Sequence, residues 1–162
     1  MQSKSPHLRE VERAFLAAMA QGYAQDAAKS TIAGMPGSKV IAFDIDDFTI
    51  KDTYFVTPFS DISFGWTVVW FQGKPVWYMQ YSGEYPKRVI PFLKRCLNEA
   101  YAAGKFFCGR GPWIVEGGDL VYENSPGAYR SFDDFSGLEI IRDVNDHRLG
   151  SHRYNGGSLL KS

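Results

Sequence analysis

The chain has 162 residues, 44% of them apolar and 22% charged, the usage of an ordinary globular protein; a compact fold of this length hides roughly 70% of the surface its unfolded chain would expose. That excludes disorder over the whole chain and predicts one domain over residues 1–162, with 1–5 and 156–162 as mobile ends. Eighteen basic side chains offset eighteen acidic ones, so no net field draws the protein to phosphate backbones or anionic lipid, and neither nucleic acid nor a membrane is expected as a partner.

Cys96 and Cys108 are the two cysteines. With no CxxC and no ligand spacing around them, they read as reduced thiols rather than as a disulfide or a zinc site. The opening MQSKSPHLREVERAF is polar and charged, unlike a secretory signal, and the apolar runs are too short to span a bilayer. A cytoplasmic protein is the expectation.

From Pro6 to about Ala24, Leu8, Val11, Phe15 and Met19 recur at helical spacing, and Ser5 before Pro6 predicts an N-cap followed by an N1 proline. Residues 25–38 are rich in small residues and predict a loop. Lys39 to Ile50 alternates as one strand bent at Asp46-Asp47, and Lys51 to Val56 completes a second. Two aromatic and β-branched runs, TVVWF and PVWYMQY, then flank Gln72-Gly73-Lys74, the strongest hairpin signal in the chain. Either two-residue turn puts Trp66, Val68 and Trp70 on one face with Trp77, Met79 and Tyr81, and Thr67, Val69 and Phe71 on the other.

A second amphipathic helix is predicted over Tyr85 to Ala103, closed by Gly104. A glycine-punctuated stretch follows, reading GRGPW at Gly109 to Trp113. Short strands are expected near Asp119 to Glu123 and Tyr129 to Phe132, then a last hairpin from Leu138 to Asp143 and Arg148 to Tyr154, turning at Asn145-Asp146. This hairpin resembles the first at a constant offset of 72 residues: Gly65 matches Gly137, Val68 matches Ile140 and Val69 matches Ile141. So few identities raise two related β halves as an alternative to two independent hairpins. The fold class expected is α+β: a twisted antiparallel sheet of about six strands with two amphipathic helices on one face.

The pieces PGS at Pro36 to Ser38, DTY at Asp52 to Tyr54, VWFQGKPVWYMQYSG at Val69 to Gly83, RGP at Arg110 to Pro112, SGLEII at Ser136 to Ile141 and the GG pair at Gly156-Gly157 stand in this order. In that order they resemble a bacterial family, domain of unknown function 5680, which stands alone or follows an Xre-type helix-turn-helix. No Xre-type domain is expected ahead of this one. Thr67 stands where the family pattern usually has Glu, and Asn155 where it often has His. The resemblance implies a fold and boundaries but no activity.

Candidate chemistry comes from four places. The aromatic set Trp66, Trp70, Trp77, Met79 and Tyr81 could line a cleft for a flat ligand or pack under the helices as core. Asp44, Asp46, Asp47 and Asp52 form an acidic cluster, but without EF-hand spacing they read as a solvated turn, and no metal is expected. A turn at Asn145-Asp146 places Glu139 opposite His152 and Asp143 opposite Arg148; a carboxylate beside an imidazole can serve as an acid-base pair, or be ordinary cross-strand pairing. Arg110, between glycines, could contact an anion, and Cys108 near it could be an activated or an inert thiol.

The chain carries no Walker, dinucleotide, HExxH or GxSxG pattern, so no cofactor is expected. The leading expectation is a binding module, for small-ligand sensing or protein interaction, using the aromatic face with Tyr54, Tyr154 and Arg110. The rivals are an enzyme on a small substrate with Glu139 and His152 as catalytic residues, and an inhibitor that sequesters a protein partner. Oligomeric state is left open.

Overall fold

The computed structural model describes residues 4–161. Eight strands form one antiparallel sheet: β1 (Ser38–Ile45), β2 (Phe48–Thr57), β3 (Ser60–Phe71), β4 (Lys74–Glu84), β5 (Ile114–Gly117), β6 (Leu120–Ser131), β7 (Asp134–Asp143) and β8 (Arg148–Ser158). Helix α1 (Leu8–Met19) precedes the sheet, and α2 (Ile90–Ala102) links β4 to β5. The α+β class with two helices is as expected, but the sheet has eight strands rather than about six. Two of the strand assignments differ from the expectation. The Asp46-Asp47 bend is a complete turn, with Asp46 at φ 53°, that separates β1 from β2. Downstream, β5 is only four residues long and carries too little pattern to register.

Strand order is β1-β2-β3-β4-β8-β7-β6-β5, so β1–β4 and β5–β8 are two four-stranded meanders joined edge to edge at β4–β8. The two segments expected near Asp119–Glu123 and Tyr129–Phe132 belong to a single strand, β6, whose pairing with β7 is interrupted between Pro126 and Arg130. Gly156 and Gly157, expected in a mobile end, are buried inside β8 and pair with Met79 and Tyr78. Residues 1–3 and 162 of the expected mobile ends lie outside the described residues.

The largest correction concerns the faces of the β3–β4 hairpin. Its turn is Gln72-Gly73, both at positive φ (48° and 75°), as a two-residue turn between right-twisted strands requires. Near the turn Phe71 pairs with Lys74 and Trp70 with Pro75, but Val69 pairs with Trp77. Val76 is therefore an extra residue on β4, a β-bulge. Because side chains alternate with period two, one extra residue exchanges the faces of everything beyond it. Thr67 and Val69, not Trp66 and Trp70, share a face with Trp77, Met79 and Tyr81.

That shared face is covered by both helices. Trp77 is fully buried, stacked on Phe132 at 4.6 Å, with Phe15 of α1 on it at the same distance. Its indole N–H donates to the Phe132 carbonyl at 2.7 Å. Met79, Ile50, Val69, Phe135 and Ile141 complete the sheet's share of the core, and Val11, Phe15, Leu93, Cys96 and Leu97 supply that of the helices. Helix α1 begins at Leu8, not after Ser5: the Glu10 carboxylate accepts from the His7 backbone N–H at 2.7 Å and closes the first turn. The opposite sheet face stays partly open, and there Phe55 stacks on Phe64 while Trp66 lies tilted against both. Among the described residues no helix is long and apolar enough to cross a membrane.

Candidate functional site

Alternation along the covered face puts Asp52 on β2, Thr67 on β3, Tyr81 on β4, His152 and Tyr154 on β8, Glu139 on β7 and Tyr122 and Asn124 on β6 side by side beneath the helices, all buried. Burying so many polar groups is tolerable only if they satisfy one another. They do so around Arg110, which reaches in from the segment between α2 and β5. Gly109 and Gly111 let that segment lie directly on the Tyr154 and Tyr122 rings, where a β-carbon at either position would collide. Asn124 donates to the carbonyls of Phe107 and Gly111 at 2.9 and 3.1 Å and pins it there.

Arg110 forms a buried ion pair with Glu139, donating through Nε at 3.1 Å and also through Nη2. The second carboxylate oxygen of Glu139 accepts from the Tyr122 hydroxyl at 2.9 Å. Glu139 and His152 are register partners, as expected. The carboxylate does not orient the imidazole, however: Glu139 Oε1 lies 4.0 Å from His152 Nδ1, whereas Arg110 Nη2 lies 3.2 Å from it. A guanidinium has only donors, so Nδ1 accepts and the ring proton resides on Nε2. Burial first, and the Arg110 charge second, hold the His152 pKa down to about 2. At neutral pH the ring is an uncharged donor, its Nε2 3.5 Å from the Ser63 hydroxyl.

The other expected pair does not form. A second bulge, at Leu149, pairs Ile141 with Gly150 but Arg142 with Arg148, so Arg148 faces Arg142 rather than Asp143.

His152 is held between two tyrosines. The Tyr81 ring stacks on it at 5.9 Å and Tyr85 lies at 4.7 Å, while Arg110 sits 4.8 Å over Tyr81. Tyr81 donates its hydroxyl to Asp52 at 2.7 Å, and Thr67 donates to the same oxygen at 3.2 Å. Burial raises the Asp52 pKa against the opposing pull of Tyr81, Arg110 and Thr67. Burial, then the Glu139 charge, also raises Tyr85 and Tyr122 well above the phenol range, so both hydroxyls remain protonated donors. The Tyr85 hydroxyl is buried and has no hydrogen-bond partner among the described residues.

A cleft of about 580 Å³ opens over this cluster. The buried Tyr85, Arg110 and His152 form its floor, and Tyr23, Tyr54, Ile90, Leu93 and the β2–β3 turn line it. Five cations line it, Lys29, Lys39, Lys87, Lys94 and Arg110, against one carboxylate, Asp61.

Of the expected site residues, Tyr54, Tyr81, Arg110 and His152 line this cleft, and Glu139 lies behind them as the anchor of Arg110. Tyr154 is buried beside them, donating to Asn124, but is not in the lining. Trp77 and Met79 are core, and Trp66 and Trp70 lie on the opposite face, so the aromatic set is split three ways. Cys108 is buried, its thiol donating to the Arg130 carbonyl at 3.0 Å, and burial raises its pKa. Burial pushes Cys96 up to about 12.

Asp44, Asp46 and Asp47 are exposed around the β1–β2 turn, and no group of three or more potential metal-binding side chains occurs among the described residues. Asp52 is the exception to the solvated-turn reading. Its position was legible in the alternation Ile50, Asp52, Tyr54, which carries it to the covered face. Tyr85, Tyr122 and Asn124 carried no such signal, because their roles depend on partners from other strands.

Searches of curated proteins and of solved structures gave no match. Residues 52–159 match one family model, a stretch that contains Asp52, Tyr81, Arg110, Glu139 and His152 and begins after α1 and β1. That match spans most of the chain, and the protein belongs to the family described as a domain of unknown function, DUF5680.

Proposed function

We propose that this domain binds a small molecule in the cleft above Arg110 and His152. The observation that carries the reading is the construction of the floor. His152 is locked into one tautomer by a buried ion pair, with its Nε2 beside Ser63 of the cleft lining and its ring 4.7 Å from the Tyr85 ring. A cavity within the usual ligand-site range of about 300–1,000 Å³, apolar in part and holding a few fixed donors, is how small-molecule sites are built. Fixed donors lose little freedom when a ligand arrives, which favours binding.

The enzyme alternative fits less well as a Glu/His acid-base pair. An imidazole whose Nδ1 is held by a guanidinium is a poor proton acceptor at neutral pH, although its Nε2–H could polarise a substrate carbonyl. Protein interaction through an aromatic sheet face would use the other face, where Phe64 is half exposed beside Trp66.

The test is a thermal-shift screen with a metabolite library on the wild type and on Ser63→Trp, which fills the cleft beside His152. Compounds that stabilise the wild type and not the variant support the reading. A library without any stabilising compound, or stabilisation that survives Ser63→Trp, counts against it.

A further inference from the structure

Exposure divides the cleft into two chemically different ends. At the floor, Tyr85 and His152 are each 4% exposed and Arg110 is 7% exposed. The Arg110 charge is already matched by Glu139, and His152 is uncharged. The floor is thus a neutral seat whose donor is His152 Nε2–H, and a carboxylate or phosphate placed there would lose its hydration without meeting an unpaired cation. At the mouth, Lys29, Lys39 and Lys87 are exposed. Lys94 is committed to Asp26 and to the Tyr23 ring, 4.7 Å away. The other three share the lining with one carboxylate, Asp61, in a chain whose overall charge is zero. A concentration of one sign at one opening of a neutral protein attracts ligands of the other sign.

We propose that the ligand is a phosphate-bearing planar compound. Its uncharged ring enters first, with a carbonyl or ring nitrogen accepting from His152 Nε2–H; its phosphate remains at the mouth among Lys29, Lys39 and Lys87. The walls suit the ring: Tyr23 and Tyr54 meet edge to face at 5.8 Å, and Ile90 and Leu93 stand in the same lining. A fixed donor at the floor selects an acceptor, and three solvated lysines suit a multiply charged group better than a single carboxylate. This inference rests on the cleft being a ligand site and adds the charge and polarity of what enters.

The experiment compares matched pairs by calorimetry at low salt: ADP with adenosine, FMN with riboflavin, and pyridoxal phosphate with pyridoxal, with inorganic pyrophosphate as a ring-free control. At least one phosphorylated member is expected to bind about ten-fold more tightly than its dephosphorylated partner and than pyrophosphate, with the pair that responds identifying the ring. Lys39→Gln combined with Lys87→Gln, surface changes that leave the core intact, is expected to remove that advantage while leaving the dephosphorylated partner's affinity unchanged. Ser63→Trp, which fills the cleft beside His152, is expected to weaken both members of the pair alike.

Equal affinity for both members of every pair, no binding by any phosphorylated member, or an advantage that survives the double lysine change overturns the proposal. If the library screen meanwhile yields uncharged compounds displaced by Ser63→Trp, the cleft stands as a ligand site and only its charge preference falls.

Discussion

Tyr81 and Tyr154 face each other as register partners across the β4–β8 seam, and each gives its hydroxyl to the side chain of a residue two strands away, Asp52 for one and Asn124 for the other. Asp52 pairs across β2–β3 with Thr67, and Asn124 across β6–β7 with Glu139. Both partners stand 72 positions apart in the chain, the offset that relates Gly65 to Gly137. The bulges at Val76 and Leu149 occupy matching places in β4 and β8. The halves differ where chemistry enters: Glu139 recruits Arg110, whereas its counterpart Thr67 bonds Asp52.

The two glycines should be sensitive to any side chain. A β-carbon at Gly65 or Gly137 would run into the Tyr81 or Tyr154 hydroxyl and a neighbouring backbone carbonyl. Gly65→Ala and Gly137→Ala are each expected to destabilise by about 1–3 kcal/mol, as overpacking does; urea unfolding midpoints measure this. A midpoint unchanged in both variants would show that the tyrosines move aside freely.

Arg110→Met leaves the Glu139 carboxylate buried with only Tyr122 for a partner. The expected cost is about 3–5 kcal/mol, the usual price of a buried charge left unpaired. Arg110→Met/Glu139→Met should be more stable than Arg110→Met alone, because the second change removes that charge. A double variant worse than the single one would place the role of Glu139 elsewhere.

The His152 pKa is lowered from 6.5 to about 2. Below pH 6.5 the unfolded chain takes up a proton that the folded one refuses, so this residue's contribution is complete above 6.5 and is lost as pH falls toward about 2. The slope is at most about 1.4 kcal/mol per pH unit. Asp52 acts in the opposite sense above the ordinary carboxyl value of 3.8, because its folded pKa is raised and it holds its proton more readily in the folded state. Stability measured between about pH 4 and 6.5 should therefore fall less steeply with acid in His152→Gln and more steeply in Asp52→Asn.

Deleting Val76 removes the bulge and, with it, the exchange of faces. Trp66 and Trp70 would then be driven under the helices in place of Thr67 and Val69, and Trp77 could not keep its place on Phe15 and Phe132. The variant is expected to lose near-ultraviolet circular dichroism and a cooperative thermal transition. Native spectra in the deletion variant would mean that the register can slip without loss of the core.

The amphipathic stripes of α1 and α2, the alternation of the strands and a two-residue turn within Gln72-Gly73-Lys74 could all be read from the chain, because each depends on residues within a few positions of one another. The pairing of Glu139 with His152 agrees with the count outward from Asn145-Asp146 only because the extra residue at Leu149 offsets a turn one residue longer than expected. Which face of β3 and β4 is covered was not legible. It depends on one unpaired residue, Val76, whose bulge has no distinctive local pattern yet inverts every side chain beyond it. Nor could local pattern show that Arg110 would come between Glu139 and His152 and turn an apparent acid-base pair into a fixed donor. That contact joins residues 29 and 42 positions apart, and only the packing of the glycine-flanked segment onto β6–β8 brings them within bonding distance.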